Sequence, residues 1–354
     1  MEEKSVLSFL FILLVAGTSF SQTYVTQIKP AGNKKWGYAN LKGEVIIEPQ
    51  FEKCYEFSSS GLAPIYDTKN RQYYFVNLRG EKLATEIKDF KLIDGFGFDL
   101  KGFEDELVPV KQGEKWGYLN TDGKLAIGAK YDEVTDFNGG YAPVKKGSGY
   151  VVINTKGEES PVEGSIQDAK PFSESLAPFK SGDKKFGFIN ENGKITIAAK
   201  FESVGYFKDG LAWVKTDDKK VGYINTTGEW VIKPQFDVGK NFEAESGLAR
   251  IKTSDKWAYV TKTGEIVYLK DTDIFEDFSN GLAKGRKNGK FGFLNNKGEW
   301  VIAPEFDGSR DFKNGFAAVK KGEVWGVIDK TGKWVIQPAF DGIKDMELVD
   351  KTSF

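Results

Sequence analysis

The chain of 354 residues contains no histidine, one cysteine and two methionines. Without histidine, it cannot contain a Ser-His-Asp or Cys-His nucleophile, an HExxH site or a metal bound by imidazole. The single thiol, Cys54, cannot form an internal disulfide, and its aromatic surroundings indicate a small buried residue. No complete glycine-rich phosphate loop is present. We therefore expect a protein that is not an enzyme, with no catalytic residue, cofactor or metal site.

An excess of either charge is also missing. The 50 Lys and Arg residues balance 51 Asp and Glu residues and are interspersed with them, so no basic face is available for a phosphate backbone. Nucleic acid is therefore not expected as a partner. With 40% hydrophobic and 14% aromatic residues, the chain has enough apolar surface to fold.

The first 21 residues have the pattern of a signal peptide. Lys4 precedes the apolar run 6–17, and small residues follow before a cleavage point ahead of Gln22. The run is too short to span a bilayer comfortably, and no membrane span is expected after its removal. The sequence thus predicts export, with a periplasmic, outer-surface or secreted location.

Residues 22–354 contain nine copies of one pattern, aromatic-Gly-aromatic-x-Asn-x-x-Gly, with some substitutions. Successive copies start 34 to 43 residues apart, and each has a glycine seven residues after its start. Such a period is typical of a repeat protein. The copies start at Trp36, Tyr73, Trp116, Tyr150, Phe186, Val221, Trp257, Phe291 and Trp325.

The spacing within one copy predicts a β-meander. Asn at the first turn position and Gly at the fourth favour a type I turn with a left-handed glycine bulge, which joins two strands as a hairpin. One strand is represented by Trp116–Asn120, and the strand after the turn is closed by a proline such as Pro234. The remaining strand of the unit has the pattern GLAxV, as in Gly210–Lys215. It precedes the two hairpin strands in the chain, and a return segment FDxVxxF comes before it.

One such unit has too little apolar surface to fold alone, because about three aromatic side chains cannot offset the entropy of ordering some 34 residues. The units must therefore stack on one another. A glycine follows the starting aromatic residue in most copies, which leaves room for a neighbouring backbone to approach closely. We expect this role for Gly37, Gly117, Gly187 and Gly222.

The motif WGYIN-x-x-GEWVI-x-P-x-FD, followed by F-x-x-GLA-x-V, resembles the bacterial WG-repeat (KWG-type) family, and the resemblance extends from Tyr24 onward. It implies β-rich repeats and no assigned activity. Two copies depart from the motif: copy two has Tyr73 and Tyr74 in place of Trp-Gly, and copy four lacks the Pro-x-aromatic closure. We expect less regular stacking at these two copies.

The predicted fold class is all-β, a tandem array of about nine three-stranded antiparallel meanders. Propellers typically have about 4 to 8 blades, and residues 24–29 already supply a GLAxV-type strand before copy one. These features favour an open, curved, solenoid-like stack with the charged tail 344–351 as a cap. The alternative is a closed, propeller-like ring.

The variable position of GLAxV is the first candidate contact surface. It carries Trp213, Arg250 and Lys284 in three copies and proline in four others, and this variety predicts an exposed position. A tryptophan there indicates a contact site, although isolated exposed apolar residues are also common.

The insertion 91–106 in copy two supplies the other candidate contact residues, Phe96, Phe98 and Phe103. Insertions in repeat proteins often lie on the binding face, which favours a contact role. A tolerated surface loop is the alternative.

Acidic residues recur five positions before the return-segment aromatic residue. They could bind Ca²⁺ or act on a glycosidic bond, or they could cap a turn that recurs because the fold recurs. Similarly, the tryptophans of the strand after the turn could stack on sugars or belong to the core. The residues concerned are Glu52, Asp132, Glu202, Asp237, Asp273, Asp307 and Asp341, and Trp230, Trp300 and Trp334.

These features predict an exported binding or scaffolding protein without enzymatic activity, whose partner is an unknown protein or an envelope polysaccharide. One alternative is a carbohydrate-binding protein, which requires exposed aromatic residues. Another is a carboxylate-dependent glycoside hydrolase, which requires one acidic pair in a cleft.

Overall fold

The computed structural model describes residues 22–93, 100–254, 256–269 and 271–350, and these ranges contain 33 strands and no helix. The predicted signal peptide lies outside the described residues. The described part of the chain accordingly has no helix with the length and apolarity of a membrane span. The strands form eight hydrogen-bonded sheets, of which the largest combines the first and last repeats; one sheet is numbered here for each of the nine repeats, so that this large sheet is described as sheets 1 and 9.

The first four sheets have three strands each within their own repeat. Sheet 1 contains β1 (Thr23–Pro30), β2 (Trp36–Asn40) and β3 (Val45–Phe51); sheet 2 contains β4 (Lys53–Cys54), β5 (Ala63–Asp67) and β6 (Gln72–Val76); sheet 3 contains β7 (Leu107–Gln112), β8 (Lys115–Asn120) and β9 (Leu125–Tyr131); sheet 4 contains β10 (Tyr141–Lys146), β11 (Gly149–Asn154) and β12 (Glu159–Pro161).

The next four sheets have four strands each. Sheet 5 contains β13 (Ile166–Ala169), β14 (Leu176–Ser181), β15 (Phe186–Asn190) and β16 (Ile195–Phe201); sheet 6 contains β17 (Ser203–Val204), β18 (Leu211–Lys215), β19 (Val221–Asn225) and β20 (Trp230–Phe236); sheet 7 contains β21 (Val238–Glu243), β22 (Leu248–Thr253), β23 (Lys256–Thr261) and β24 (Ile266–Val267); sheet 8 contains β25 (Ile274–Ser279), β26 (Leu282–Lys287), β27 (Lys290–Leu294) and β28 (Trp300–Phe306).

The last repeat forms sheet 9, and one further strand follows it. Sheet 9 contains β29 (Gly308–Ser309), β30 (Phe316–Lys321), β31 (Val324–Asp329) and β32 (Trp334–Ile343), and the strand after it is β33 (Glu347–Val349). All strand pairs in sheet 6 are antiparallel, in the order β17-β18-β19-β20. The predicted three-stranded meander is confirmed, and the return segment adds a short fourth strand.

The hairpin between the second and third strands has the predicted turn. In sheet 6 the amide of Gly228 donates to the carbonyl of Asn225 at 2.9 Å, and Gly228 has a φ of +85°. The side-chain oxygen of Asn225 accepts the amides of Thr227 and Glu229 at 3.1 and 2.9 Å. The Asn-x-x-Gly spacing therefore fixes this turn through a side-chain cap and a left-handed glycine.

The glycine after the starting aromatic residue lies beside a bulge. Strand β19 pairs Val221 with Phe236 but Tyr223 with Ile232, so the third strand has extra residues at this place. A Cβ atom on Gly222 would lie 2.5 Å from the carbonyl oxygen of Ile232. Only glycine avoids this backbone clash, as the sequence predicts. The same contact, at 2.4 to 2.6 Å, occurs at Gly37, Gly117, Gly187, Gly292 and Gly326.

The core is divided among the contacts between sheets. The described residues form nine buried apolar clusters, and each cluster joins two neighbouring sheets. Between sheets 6 and 7, for example, the fully buried Tyr223 packs edge-on against Phe242, and its hydroxyl donates to the carbonyl of Lys240 at 2.9 Å. Each repeat thus completes the core of its neighbour.

The first and last sheets are hydrogen-bonded to each other. The end of β32 pairs with β1, with Ile28 opposite Ile343, and β33 pairs with the other end of β1. A buried cluster joins Ala39 of sheet 1 to Val327 and Ile336 of sheet 9. The nine sheets therefore form a closed ring, which is the alternative to the open stack that the sequence favours. The tail 344–351, which the sequence predicts to be a cap, supplies strand β33 to sheet 1.

Three repeats have a reduced third strand. In sheet 2 only a bridge from Val76 to Lys82 remains, and in sheet 4 β12 has three residues; these are the two copies whose motif departs from the pattern. In sheet 7 β24 has two residues, which the sequence does not predict.

Candidate binding cleft between sheets 6 and 7

The variable position of GLAxV faces the return segment of the next sheet. In sheets 2 to 5 it is a buried proline, and in sheet 9 it is the buried Ala318. The predicted exposure of this position is therefore wrong, because ring packing covers it in one sheet after another. The four prolines are Pro64, Pro109, Pro143 and Pro178.

In sheet 7 the variable position is Arg250, which bridges to sheet 8. Its Nη1 donates to the carbonyl of Phe275 at 2.8 Å, and its Nε lies 2.6 Å from Asp277 Oδ1, although the N–H does not point at that oxygen. The guanidinium also stacks on Trp257 at 4.6 Å. The Arg250 side chain is only 14% exposed. Arg250 is therefore occupied by contacts within the protein and is not available as an exposed contact residue.

Sheets 8 and 9 have similar links to the following sheet. Lys284, the variable residue of sheet 8, is 17% exposed and lies 3.1 Å from Asp311 of sheet 9. Arg310 of sheet 9 makes a bidentate contact with Asp345 at 2.5 and 2.8 Å. Lys284 therefore lies inside an interface between sheets, and its prediction as an exposed contact residue is wrong.

Sheet 6 differs because its variable residue is Trp213. A cleft of about 900 Å³ opens here between sheets 6 and 7, with Trp213 in its wall. The indole occupies space left by Gly205, since a Cβ atom on this glycine would lie 2.2 Å from Trp213 Nε1. Gly239 leaves similar space beside Trp213 Cβ. The predicted contact residue Trp213 therefore lies in a preformed cleft.

Two polar groups in the cleft have no hydrogen-bond partner. Asn241 stands where sheets 8, 9 and 1 have an aspartate, and its buried Oδ1 is unpaired. Glu202 uses one carboxylate oxygen for an ion pair with Lys219, while its buried Oε2 is also unpaired. Buried acceptors are normally satisfied, so both oxygens can accept a hydrogen bond from a ligand or water.

The acidic side chains of the cleft are largely paired, whereas three lysines are not. Asp237 contacts Lys220 at 2.6 Å, and this hydrogen bond lowers the pKa of Asp237. Among the described residues, no ion pair involves the remaining lysines of the lining, and none involves the fourth acid, Glu243, whose carboxylate accepts the amides of Glu245 and Ser246. These lysines are Lys208, Lys215 and Lys240.

Gly205, Asn241 and Tyr206 also line the cleft, and the repeat motif alone does not identify them as site residues. A signal was present: the return segments at Asn241 and Gly205 depart from the residues found at the same positions elsewhere. Burial raises the pKa of Tyr206.

A second cleft of about 910 Å³ lies between sheets 7 and 8 and includes the exposed Tyr268 and Ile274. There, however, Arg250 already fills the space between Trp257 and the acceptors of sheet 8. The cleft at Trp213 is therefore the better candidate for a ligand.

The recurrent acidic residues cap turns. Asp132 accepts the amide of Gly147 at 2.8 Å, and Asp307 accepts the amide of Gly322 at 2.8 Å. Asp273 and Asp341 accept the corresponding turn amides at 2.9 Å. The capping interpretation thus holds at these four positions. Among the described residues, no group of three or more acidic or cysteine side chains could hold a metal ion.

The insertion in copy two does not present its described phenylalanine to solvent. Phe103 is 2% exposed and packs against Phe75 with ring centroids 4.9 Å apart. It belongs to the core between sheets 2 and 3, which corrects its prediction as a contact residue. Phe96 and Phe98 lie outside the described residues.

The tryptophans of the third strand are partly exposed and pack between neighbouring sheets. Trp230 is 38% exposed, and its ring meets Phe201 of sheet 5 edge-on. Trp334 meets Phe306 of sheet 8 in the same way. They therefore pack against the preceding sheet, as the core interpretation requires, but they are not fully buried.

One solved structure supports the fold, and a second aligns more weakly. A crystal structure described as the eukaryotic initiation factor aligns with 94% of this chain and 100% of its own, with a TM-score of 0.59 and 13% identity. BamB from Moraxella catarrhalis aligns with 67% of this chain and 86% of its own, at a TM-score of 0.38 and 13% identity. No curated protein matches the sequence.

The sequence matches the family described as "WG containing repeat" over residues 36–67, 116–150, 186–219, 222–257, 291–325 and 325–347. These matches cover more than half of the chain. The copies that begin at Tyr73, Tyr150 and Trp257 are not matched, and they form sheets 2, 4 and 7, whose third strands are reduced. The chain belongs to the WG-repeat family.

Proposed function

We propose that this chain is an exported binding protein without enzymatic activity, and that it holds its ligand in the cleft between sheets 6 and 7. One observation carries the proposal: Trp213 and Asn241 stand where the next interface has Arg250 and Asp277. The exchange removes an ion pair and leaves an aromatic wall and an unpaired acceptor around a cavity.

The shape and lining of this cavity support a binding role. Ligand sites are concave, largely apolar and equipped with a few directed polar groups. The cleft combines Trp213 and Tyr206 with the unpaired oxygens of Asn241 and Glu202. It is built between sheets that are fixed by a shared core, which makes it preformed.

The state of the carboxylates supports binding over catalysis. A glycoside hydrolase needs one carboxylic acid with a raised pKa as proton donor. In this cleft Lys220 lowers the pKa of Asp237, and Lys219 pairs with Glu202. Turnover of a polysaccharide panel that is lost in Glu202→Gln would contradict the proposal of a protein that is not an enzyme.

The proposed export rests on the pattern in residues 1–21. The partner is then a protein or polymer of the cell envelope or its surroundings. The location can be tested directly: the N-terminal sequence of the purified native protein should start at Gln22. A protein that retains Met1 and stays in the cytoplasm would overturn this part of the proposal.

The cleft itself can be tested by capture from native envelope extract. We expect Trp213→Ala to lose the material that the wild-type protein retains, because the aromatic wall is gone. Trp230→Ala is the matched control, since Trp230 is exposed outside the cleft. Equal capture by both variants and the wild type, measured by mass spectrometry, would refute a function for the cleft.

A further inference from the structure

Sheet 7 lacks most of the strand that covers the edge of the regular sheets. The third strands of sheets 1, 3, 5, 6, 8 and 9 have seven or more residues, whereas β24 has two. In sheet 6 the third strand reaches the start of the hairpin, where Val221 pairs with Phe236. In sheet 7, β24 pairs only with Tyr259 and Val260 of β23. Within the described part of the chain, no strand therefore pairs with the outer side of β23 at Trp257, the equivalent of Val221.

Apolar side chains are exposed beside this open edge. Trp257 is 38% exposed, and Tyr268 is 50% exposed although Ile232, at the same repeat position in sheet 6, is buried. Both residues line the cleft of about 910 Å³ together with the exposed Ile274. Arg250, which also lines this cleft, belongs to β22 on the other side of β23 and does not cover the edge.

The other two repeats with reduced third strands are covered by residues that follow. In sheet 2, Ile87 and Phe90 are buried in the cluster between sheets 2 and 3. In sheet 4 the amide of Val162 donates to the carbonyl of Tyr150, the start of its hairpin, at 3.3 Å, and Val162 packs against the cluster between sheets 4 and 5. An open edge with exposed apolar side chains thus distinguishes sheet 7 from both.

The charge at this edge is also uncompensated. In three regular sheets, a lysine before the hairpin forms an ion pair with the aspartate that follows the third-strand aromatic residue. These pairs are Lys115–Asp132, Lys220–Asp237 and Lys290–Asp307. Lys256 holds the lysine position in sheet 7, and among the described residues no ion pair involves it. Asp273, at the aspartate position, accepts the amide of Asn288 instead. Thr272 replaces the aromatic residue.

We propose that the open edge of sheet 7 is a second binding site, which takes an extended peptide segment of a partner protein by strand addition. The backbone of the segment pairs with β23 at Trp257. An aromatic side chain of the segment packs against Trp257 and Tyr268, and an acidic residue beside it pairs with Lys256. The regular repeats supply this chemistry themselves, as Phe306 and Asp307 do in sheet 8. The site does not depend on the function proposed for the cleft between sheets 6 and 7.

The test is fluorescence anisotropy of two labelled peptides titrated with the chain 22–354. The first peptide, EWVIAPEFD, has the sequence of residues 299–307, and the second, EWVIAPEFK, ends in lysine. We expect saturable binding of the first peptide, about threefold to fivefold tighter than that of the second, because a partly exposed ion pair contributes up to about 1 kcal/mol.

Variants locate the binding at this edge. Lys256→Glu should reverse the preference, so that the peptide ending in lysine binds more tightly. Trp257→Ala should weaken the binding of both peptides at least about tenfold, because the aromatic contact is lost. Lys115→Glu is the matched control and should keep the wild-type preference, because the third strand of sheet 3 is complete. Circular dichroism and thermal unfolding show whether each variant is folded, and Lys256→Glu tests the site even where Trp257→Ala is unstable.

Three results would overturn the proposal. EWVIAPEFD that does not bind the wild-type chain would exclude strand addition by this class of peptide. A preference that stays the same in Lys256→Glu would place any binding elsewhere. Sedimentation velocity without peptide supplies the third: a wild-type dimer that Trp257→Ala converts to a monomer would assign the edge to a second copy of this chain.

Discussion

The contact between sheets 7 and 8 and the contact between sheets 6 and 7 use the same framework with different side chains. At the first, Arg250 spans the gap, stacks on Trp257 and reaches the carbonyl of Phe275. At the second, Trp213 and Asn241 leave a cavity. The repeat therefore provides an internal comparison: both contacts border a cleft of similar volume, but Arg250 bridges one of them, whereas Trp213 and Asn241 leave the other without a bridge.

The largest effect should come from breaking the framework that both interfaces share. Gly222→Ala places a Cβ atom 2.5 Å from the carbonyl of Ile232, a backbone atom that cannot move freely. We expect the free energy of unfolding to fall by about 3 kcal/mol, measured by urea denaturation. Gly292→Ala in sheet 8 should cost the same, since its Cβ would also lie 2.5 Å from a carbonyl oxygen.

The control for both changes is Gly128→Ala. Gly128 lies in β9, and a Cβ atom there would meet nothing within 4 Å. We expect a change within about 0.5 kcal/mol, because a side chain in a strand also reduces the entropy of the unfolded chain. A Gly222→Ala variant as stable as Gly128→Ala would show that the bulge can relax and that the framework is not fixed.

A second prediction concerns the ring closure, where a polar link is buried and sensitive to pH. Lys313 Nζ lies 2.8 Å from Glu347 Oε1 and 3.0 Å from Glu56 Oε2, and Glu347 is 8% exposed. Burial, together with the charge of Glu56, raises the pKa of Glu347 to about 7. A raised carboxyl pKa means that the folded state favours the protonated form. The stabilisation of the folded state by this preference is fully present below the ordinary carboxyl pKa, and it is lost as the pH rises through 7.

We therefore expect the wild-type protein to lose about 1 to 3 kcal/mol of stability between pH 5 and pH 8 relative to Glu347→Gln, which cannot titrate. Denaturant unfolding of both proteins across this range measures the difference. Parallel pH profiles would contradict the prediction. Glu202→Gln, which removes a carboxylate at the contact between sheets 6 and 7, is the comparison variant.

A smaller effect should follow when the bridged interface loses its cation. Arg250→Met keeps much of the side-chain volume but leaves Glu276 and Asp277 without their partner. Because both carboxylates are about half exposed, we expect a loss of about 1 to 2 kcal/mol. Lys321→Met breaks an exposed pair with Glu305 and should cost less than about 0.5 kcal/mol. If Arg250→Met and Lys321→Met lost similar free energies of unfolding, the ion pairs of Arg250 would stabilise the protein no more than an exposed pair does.

The smallest change in stability should accompany the conversion of one interface into the other. Trp213→Arg combined with Asn241→Asp introduces the pair found between sheets 7 and 8. We expect stability within about 1 kcal/mol of the wild type, because the lost aromatic packing is offset by the new ion pair, while capture of the ligand is abolished. Retained capture by this double variant would separate ligand binding from the two exchanged residues.

Local features of the fold could be predicted from the sequence because they depend on residues close together in the chain. The turn at Asn225 and Gly228 follows from side-chain capping and left-handed glycine, and the role of Gly222 follows from the absence of a Cβ atom. The prediction that the units stack on one another is also confirmed, since the core lies between sheets. The reduced third strand in sheet 4 does not follow from its missing proline alone, because sheets 3 and 5 carry Ala129 and Ala199 at that position and keep third strands of seven residues.

Features that depend on distant residues could not be derived in this way. The pairing of Ile28 with Ile343 connects opposite ends of the array, and no local pattern distinguishes it from an open edge. The burial of Arg250 and Phe103 likewise depends on which sheet lies opposite. Gly205 and Asn241 could have been noticed as departures at their repeat positions, but their proximity to Trp213 requires coordinates.

The strand that closes the ring also brings the two ends of the described chain together. The side chain of Gln22 donates to Asp350 Oδ1 at 3.3 Å, and the amide of Asp350 donates to the carbonyl of Ser59. A short linker could therefore join residue 22 to residue 350. New termini opened in an exposed turn, such as residues 217–219, would leave all nine buried clusters uncut. We therefore expect a circularly permuted chain to form the same contacts between neighbouring sheets.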